Sequence, residues 1–161
     1  MGEIISGLLV GFLSSLIAFY LQASHLPLPA FLYALICMLM TVFLMSTNNT
    51  GDYDKDKGIR VTLPHIIGFR NSILLVIPEF ILLLLSWLFL SLTVLTWWQS
   101  LIGFGLFYYD GYIRWLKEYI TIQNVYPEMG REFGPRPLLL IRSFHTVMSL
   151  CFLISIYLLK G

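Results

Sequence analysis

The sequence predicts an all-α integral membrane bundle of about five transmembrane helices, and three observations carry that reading. Of the 161 residues, 58% are hydrophobic and only 12% are charged, against about 25% charged in an ordinary soluble domain. The apolar residues fall in long runs of the ~20-residue length that a helix needs to cross a bilayer core of ~30 Å. The charged residues gather between the runs. A chain this short with this content is one transmembrane domain over 1–161. Ten Lys and Arg against nine Asp and Glu leave a formal charge of +1, which gives no reason to expect a nucleic-acid partner; the implied partner is the lipid bilayer.

The first helix, about 4–21, carries Gly7 and Gly11 four residues apart, a spacing that suits close helix contact. Ser24-His25-Leu26-Pro27 ends it. With no basic leader and no small-residue cleavage pattern, it is expected to remain as a span and not to be removed as a signal peptide. The second helix covers about 29–46 and gives way to a polar stretch that begins at Asn48. Apolar character resumes at Ser72 and runs to Leu106, too long for one span, so a tight turn near Ser91 to Trp98 is expected to divide it into helices at about 72–91 and 95–113. A mixed segment bearing Arg114, Lys117, Glu118, Glu128, Arg131 and Glu132, broken by Pro127, Gly130, Gly134 and Pro135, precedes the last helix at about 137–159.

Lys55, Lys57, Arg60 and Arg70 follow the second span, and Arg114, Lys117, Arg131 and Arg136 follow the fourth, whereas the other side has only Lys160. The positive-inside rule therefore assigns the N-terminus and the loops 47–71 and 114–136 to the cytoplasm. The Asn48-Asn49-Thr50 sequon then faces away from glycosylation and reads as a polar helix end. Cys37 and Cys151 each lie within an apolar run, where a thiol serves as a small packing residue.

The stretch richest in chemistry is Asp52-Tyr53-Asp54-Lys55-Asp56-Lys57-Gly58-Ile59-Arg60-Val61-Thr62-Leu63-Pro64-His65-Ile66-Ile67-Gly68. If the second helix continues through it, Asp52 and Asp56 share one face and Asp54 points elsewhere. Two carboxylates so spaced suit a hard cation such as Mg2+, which keeps waters or takes phosphate oxygens for the rest of its shell. Lys55, Lys57 and Arg60 are near enough to pair with phosphate.

These residues resemble the second aspartate motif of the UbiA superfamily of intramembrane prenyltransferases, in which D-x-x-x-D at a helix end precedes a G-I-R-T-L-P-like run and a glycine. The matching residues are Asp52 and Asp56, then Gly58-Ile59-Arg60, Thr62-Leu63-Pro64 and Gly68. The resemblance implies Asp52 and Asp56 as Mg2+ ligands and Lys55, Lys57 and Arg60 as substrate-binding residues for an isoprenyl diphosphate. It also implies that the five expected helices correspond to the fifth to ninth of that family's nine. Only Lys57 separates Asp56 from Gly58, and Val61 is an extra residue before Thr62. The first span ends without a carboxylate, so one chain supplies half of a cage. The other half would come from a second copy, as a homo-oligomer, or from another membrane subunit. The competing expectation is a small non-catalytic subunit of a larger membrane complex, with the charged loop as solvated surface.

Glu79, inside the third expected span, is costly in hydrocarbon unless paired, and Arg142 and His145 enter the last span from the same side. Of His25, His65 and His145, only the last lies in an expected span, which argues against paired haem ligation. Trp97-Trp98 and the Tyr108-Tyr109-Tyr112-Trp115 group read as interfacial anchors, and Met38, Met40 and Met45 as packing.

Overall fold

The computed structural model describes residues 2–109, 112–121, 146, 148–151, 153 and 154, and among them every regular element is helical. In chain order these are α1 (Gly2–Ala23), α2 (Leu28–Gly51), α3 (Leu63–Ile67), α4 (Phe69–Thr93), α5 (Trp97–Tyr109) and α6 (Tyr112–Thr121). Three of them, α1, α2 and α4, are long and apolar enough to cross a bilayer. They correspond to the first three expected spans. In the region of the fourth, expected at about 95–113, the described residues form α5 and α6, and residues 110 and 111 between them lie outside the described residues. The last expected helix, about 137–159, falls outside the described residues except for 146, 148–151, 153 and 154, which are helical.

The joints follow from local chemistry. α1 stops at Ser24, which adopts a left-handed φ of 57° and donates its N–H to the Tyr20 carbonyl at 2.8 Å. Pro27 is extended and Pro29 sits in the first turn of α2, where a missing N–H costs nothing. α2 then runs on to Gly51, past the boundary expected near 46. Between α4 and α5 the turn is as short as expected, and the Gln99 side-chain carbonyl accepts from both the N–H and the hydroxyl of Thr96 at 2.9 Å. Pro78 lies inside α4 and leaves the Leu74 carbonyl without its helical donor.

α1 and α2 pack antiparallel, as do α2 and α4. Gly7 faces Met38 and Val42, while Gly11 faces the backbone of Cys37 and Met38. From Gly7 to Leu13 the wider i→i+5 hydrogen bonding of a π-helix replaces the α pattern. Phe43 meets Phe80 with ring centroids 5.9 Å apart, and Tyr33 meets the edge of Trp87 at 6.2 Å. Around these contacts Ile36, Ile73, Val76, Leu83, Leu90 and Met148 complete the buried core. Hydroxyls within the apolar region bond back to their own helix: Ser14 to Val10, Ser15 to Gly11, Thr41 to Cys37 and Ser86 to Leu82. Each hydroxyl is thereby satisfied where water is absent.

This antiparallel arrangement gathers the start of α1, the end of α2, α3 and the start of α4 at one end of the bundle. The charged loop 52–62 belongs to that end.

Candidate functional site

α2 does not continue as a helix through the aspartates: it ends at Gly51, and Asp52 is its C-cap with φ −90° and ψ 12°. The following residues form a series of turns. The Asp56 N–H donates to the Asp52 carbonyl at 2.9 Å, and the Asp56 carbonyl accepts from Ile59 and Arg60 at 3.0 and 3.1 Å. One helix-like turn thus still spans Asp52 and Asp56, the relation on which the expected pairing depends. Gly58 has φ 81° and Gly68 has φ 88° with ψ 150°. The second combination is open almost only to glycine. Among the described residues no atom lies within 4 Å of where a Cβ would stand at either position, so backbone strain dominates the effect of substitution there. Gly68→Ala is expected to cost about 1–3 kcal/mol and Gly58→Ala about 1–2 kcal/mol; paired unfolding curves in detergent check the order.

Asp52 and Asp56 each pair with a base of their own loop. Lys55 Nζ lies 3.6 Å from Asp52 Oδ1, an exposed contact that contributes little. Arg60 Nη2 lies 2.7 Å from Asp56 Oδ2, and the Asp56 side chain is only 8% exposed. The Asp56 carboxylate beside it pushes the Arg60 guanidinium further above its ordinary pKa. Lys57 is exposed and Asp54 half-buried.

His65 closes the loop. Thr62 caps α3, and the His65 Nδ1 accepts the Thr62 N–H at 3.3 Å while also lying 2.8 Å from the Thr62 hydroxyl. Nε2 lies 2.8 Å from the Tyr53 carbonyl, so the neutral tautomer carrying its proton on Nε2 satisfies both ring nitrogens. The ring stacks on Tyr53 with centroids 4.8 Å apart, and Tyr53 in turn meets Phe69 at 5.6 Å.

Beneath the loop lies an acid that the sequence did not single out. Glu3 is 3% exposed; its carboxylate accepts from Asn49 Nδ2 at 2.7 Å and interacts with the Leu63 backbone. Deeper still, the Ser46 hydroxyl donates to Glu79 Oε1 at 2.8 Å. A lone acid at the start of an apolar run and an amide near the end of the next were the available signals, and only the antiparallel pairing of α1 with α2 brings them together. Arg142 and His145, the expected partners of Glu79, lie outside the described residues. His25, whose ring bonds the Ala23 carbonyl, is at the opposite end of the bundle from His65.

Among the described residues no three His, Cys, Asp or Glu side chains stand close enough to hold a metal ion. Asp52 and Asp56 by themselves make no all-protein cage, and only a cation that draws most of its shell from phosphate and water can use one or two carboxylates. Toward the far end, a shallow apolar groove of about 430 Å³ between α2 and α4 is lined by Leu32, Leu35, Leu82, Leu85 and Phe89. In comparisons with known proteins, no family model, curated protein or solved structure matches the chain.

Proposed function

We propose that the 52–62 loop is half of a site for a divalent cation and the diphosphate of an isoprenoid lipid, in a UbiA-like membrane protein that needs a second chain to complete it. The observation that carries this reading is a buried Asp56 set one turn from Asp52 by a backbone hydrogen bond and interleaved with Lys55, Lys57 and Arg60, at the end of an apolar helix. A soluble surface loop has no need to bury a carboxylate to 8% exposure. Asp52 and Asp56 would hold Mg2+, and Lys55, Lys57 and Arg60 the phosphate oxygens; the bound cation would neutralise charge developing on a diphosphate leaving group. The second reading, a non-catalytic subunit, is favoured by the internal pairing of both aspartates, which leaves the loop electrically self-sufficient without a ligand.

One measurement separates the two. Thermal stability of the purified protein, with any partner chain retained, is followed on adding Mg2+ and a geranylgeranyl diphosphate analogue, singly and together. The half-site predicts stabilisation by the combination, lost in Asp52→Asn and Asp56→Asn and kept in Asp54→Asn. No shift in the wild type favours the structural subunit.

The orientation belongs to the same proposal: the N-terminus and the loops 47–71 and 114–136 face the cytoplasm. The fold supports it by bringing the start of α1 and the 52–62 loop to one end. Lys57→Cys should react with an impermeant thiol reagent only from the cytoplasmic side and His25→Cys only from the other. The reverse pattern rejects this orientation.

A further inference from the structure

The two members of the Asp56–Arg60 pair differ sharply in surroundings: the Arg60 side chain is 54% exposed and that of Asp56 only 8%, with 2.7 Å between Nη2 and Oδ2. A carboxylate so buried needs a positive or hydrogen-bonding partner, and a guanidinium with N–H groups still facing water can leave for a better anion. Asp52 differs, because its contact with Lys55 is longer, at 3.6 Å, and exposed on both sides; water can replace Lys55 there at little cost.

We infer that Arg60 is the resident counter-ion of Asp56, occupying the carboxylate that a divalent cation would take, so that the cation binds well only when a phosphate-bearing ligand draws Arg60 away. This rests on the half-site reading and adds an order of events to it. A cation arriving alone must break this close ion pair and send Arg60 into water. A diphosphate arriving with it offers the guanidinium two oxygens in the fork geometry that arginine prefers. The exchange then replaces one strong ion pair by two, Arg60 with phosphate and Asp56 with the cation. The loop backbone need not rearrange, because Arg60 ends the turn series in which its own N–H stays bonded to the Asp56 carbonyl.

The test uses the purified protein with any partner retained, Mn2+ as the cation followed by its free-ion EPR signal, and inorganic pyrophosphate as the anion. Wild type should bind Mn2+ alone weakly and much more tightly with pyrophosphate. Arg60→Gln should bind Mn2+ alone about tenfold more tightly than wild type, the order expected when one close ion pair to a buried carboxylate no longer competes, and should gain less from pyrophosphate. Arg60→Lys should stay near wild type. Arg70→Gln removes the same charge from the same end of the bundle and should leave Mn2+ affinity unchanged; an equal gain there would reduce the effect to net charge and overturn the inference. It is also overturned if Arg60→Gln binds Mn2+ alone no better than wild type. Should that variant fail to fold, Asp56→Asn serves instead: with Arg60 released, pyrophosphate alone should bind about tenfold more tightly, and unchanged affinity refutes the counter-ion role. Failure of the half-site reading looks different: wild type then shows no binding of Mn2+ and pyrophosphate together.

Discussion

Gly11→Leu is expected to prevent α1 from docking on α2, and Gly11→Ala to lower stability by about 1–3 kcal/mol. A methyl group at Gly11 would stand 2.6 Å from the Cys37 carbonyl oxygen and the Met38 Cα, and 2.7 Å from the Met38 nitrogen. Carbon atoms in ordinary contact are about 3.5–4 Å apart. The obstructing atoms are all backbone, so no rotamer change relieves the clash and the two helices must separate by about 1 Å, losing dispersion along the whole interface. Between helices in lipid that loss is serious, because no hydrophobic driving force replaces the contact. At Gly7 the nearest obstacle is the Val42 Cγ2 at 2.6 Å, a side-chain tip, with the Met38 carbonyl oxygen at 3.1 Å; alanine should cost less there. At Gly105 nothing described lies within 4 Å, and alanine should be neutral or stabilising by up to about 1 kcal/mol through helix propensity. Equilibrium unfolding in mixed micelles should rank the losses Gly11, Gly7, Gly105. Equal effects at all three would mean that close approach is not what the glycines provide.

That glycine pair was legible in the sequence because its signal is geometric: small residues four apart in an apolar run meet whatever helix lies beside them. The first three spans were legible for a similar reason, since length and hydropathy answer to bilayer thickness whatever the tertiary contacts. The end of α2 was not. Asn48 to Gly51 read as a loop because the residues are polar, yet the chain stays helical there. Thr47 and Thr50 return their hydroxyls to carbonyls one turn back, and Asn49 finds Glu3, forty-six residues away in sequence. Polarity marks a loop only when such partners are missing. The reading of Asn48-Asn49-Thr50 as a polar helix end anticipated this more closely than the proposed boundary did.

The aspartate loop shows the opposite mixture. Its chemistry was visible from residue types and spacing, and although the helix stops at Gly51, the turns that follow still bring the Asp56 N–H to the Asp52 carbonyl, so the one-turn relation does not need a continuous helix. Gly58, with its positive φ, sits among these turns, where glycine avoids the penalty that other residues meet in the left-handed region. The capping and stacking roles of His65 could not be read from one line of sequence, because they require Tyr53 and Thr62 to be brought to the same ring by the fold.

Asn49→Ala is expected to destabilise the bundle by about 1–3 kcal/mol, because it removes a donor 2.7 Å from the carboxylate of Glu3, a side chain only 3% exposed. The same carboxylate also interacts with the Leu63 backbone, which places it between the first turn of α1, α2 and the far end of the charged loop. Glu3→Ala should therefore loosen the loop as well as the helix pair, whereas Glu3→Gln retains an acceptor for Asn49 and should lose less. A double-mutant cycle with Glu3→Ala and Asn49→Ala should give a coupling of more than about 1 kcal/mol, the mark of groups in direct contact. Additive losses would place the two residues in separate environments and remove the link between the N-terminus and the site. Backbone hydrogen exchange across 52–62 gives a second readout: Glu3→Ala should speed exchange there, and Glu3→Gln should leave it near the wild-type rate.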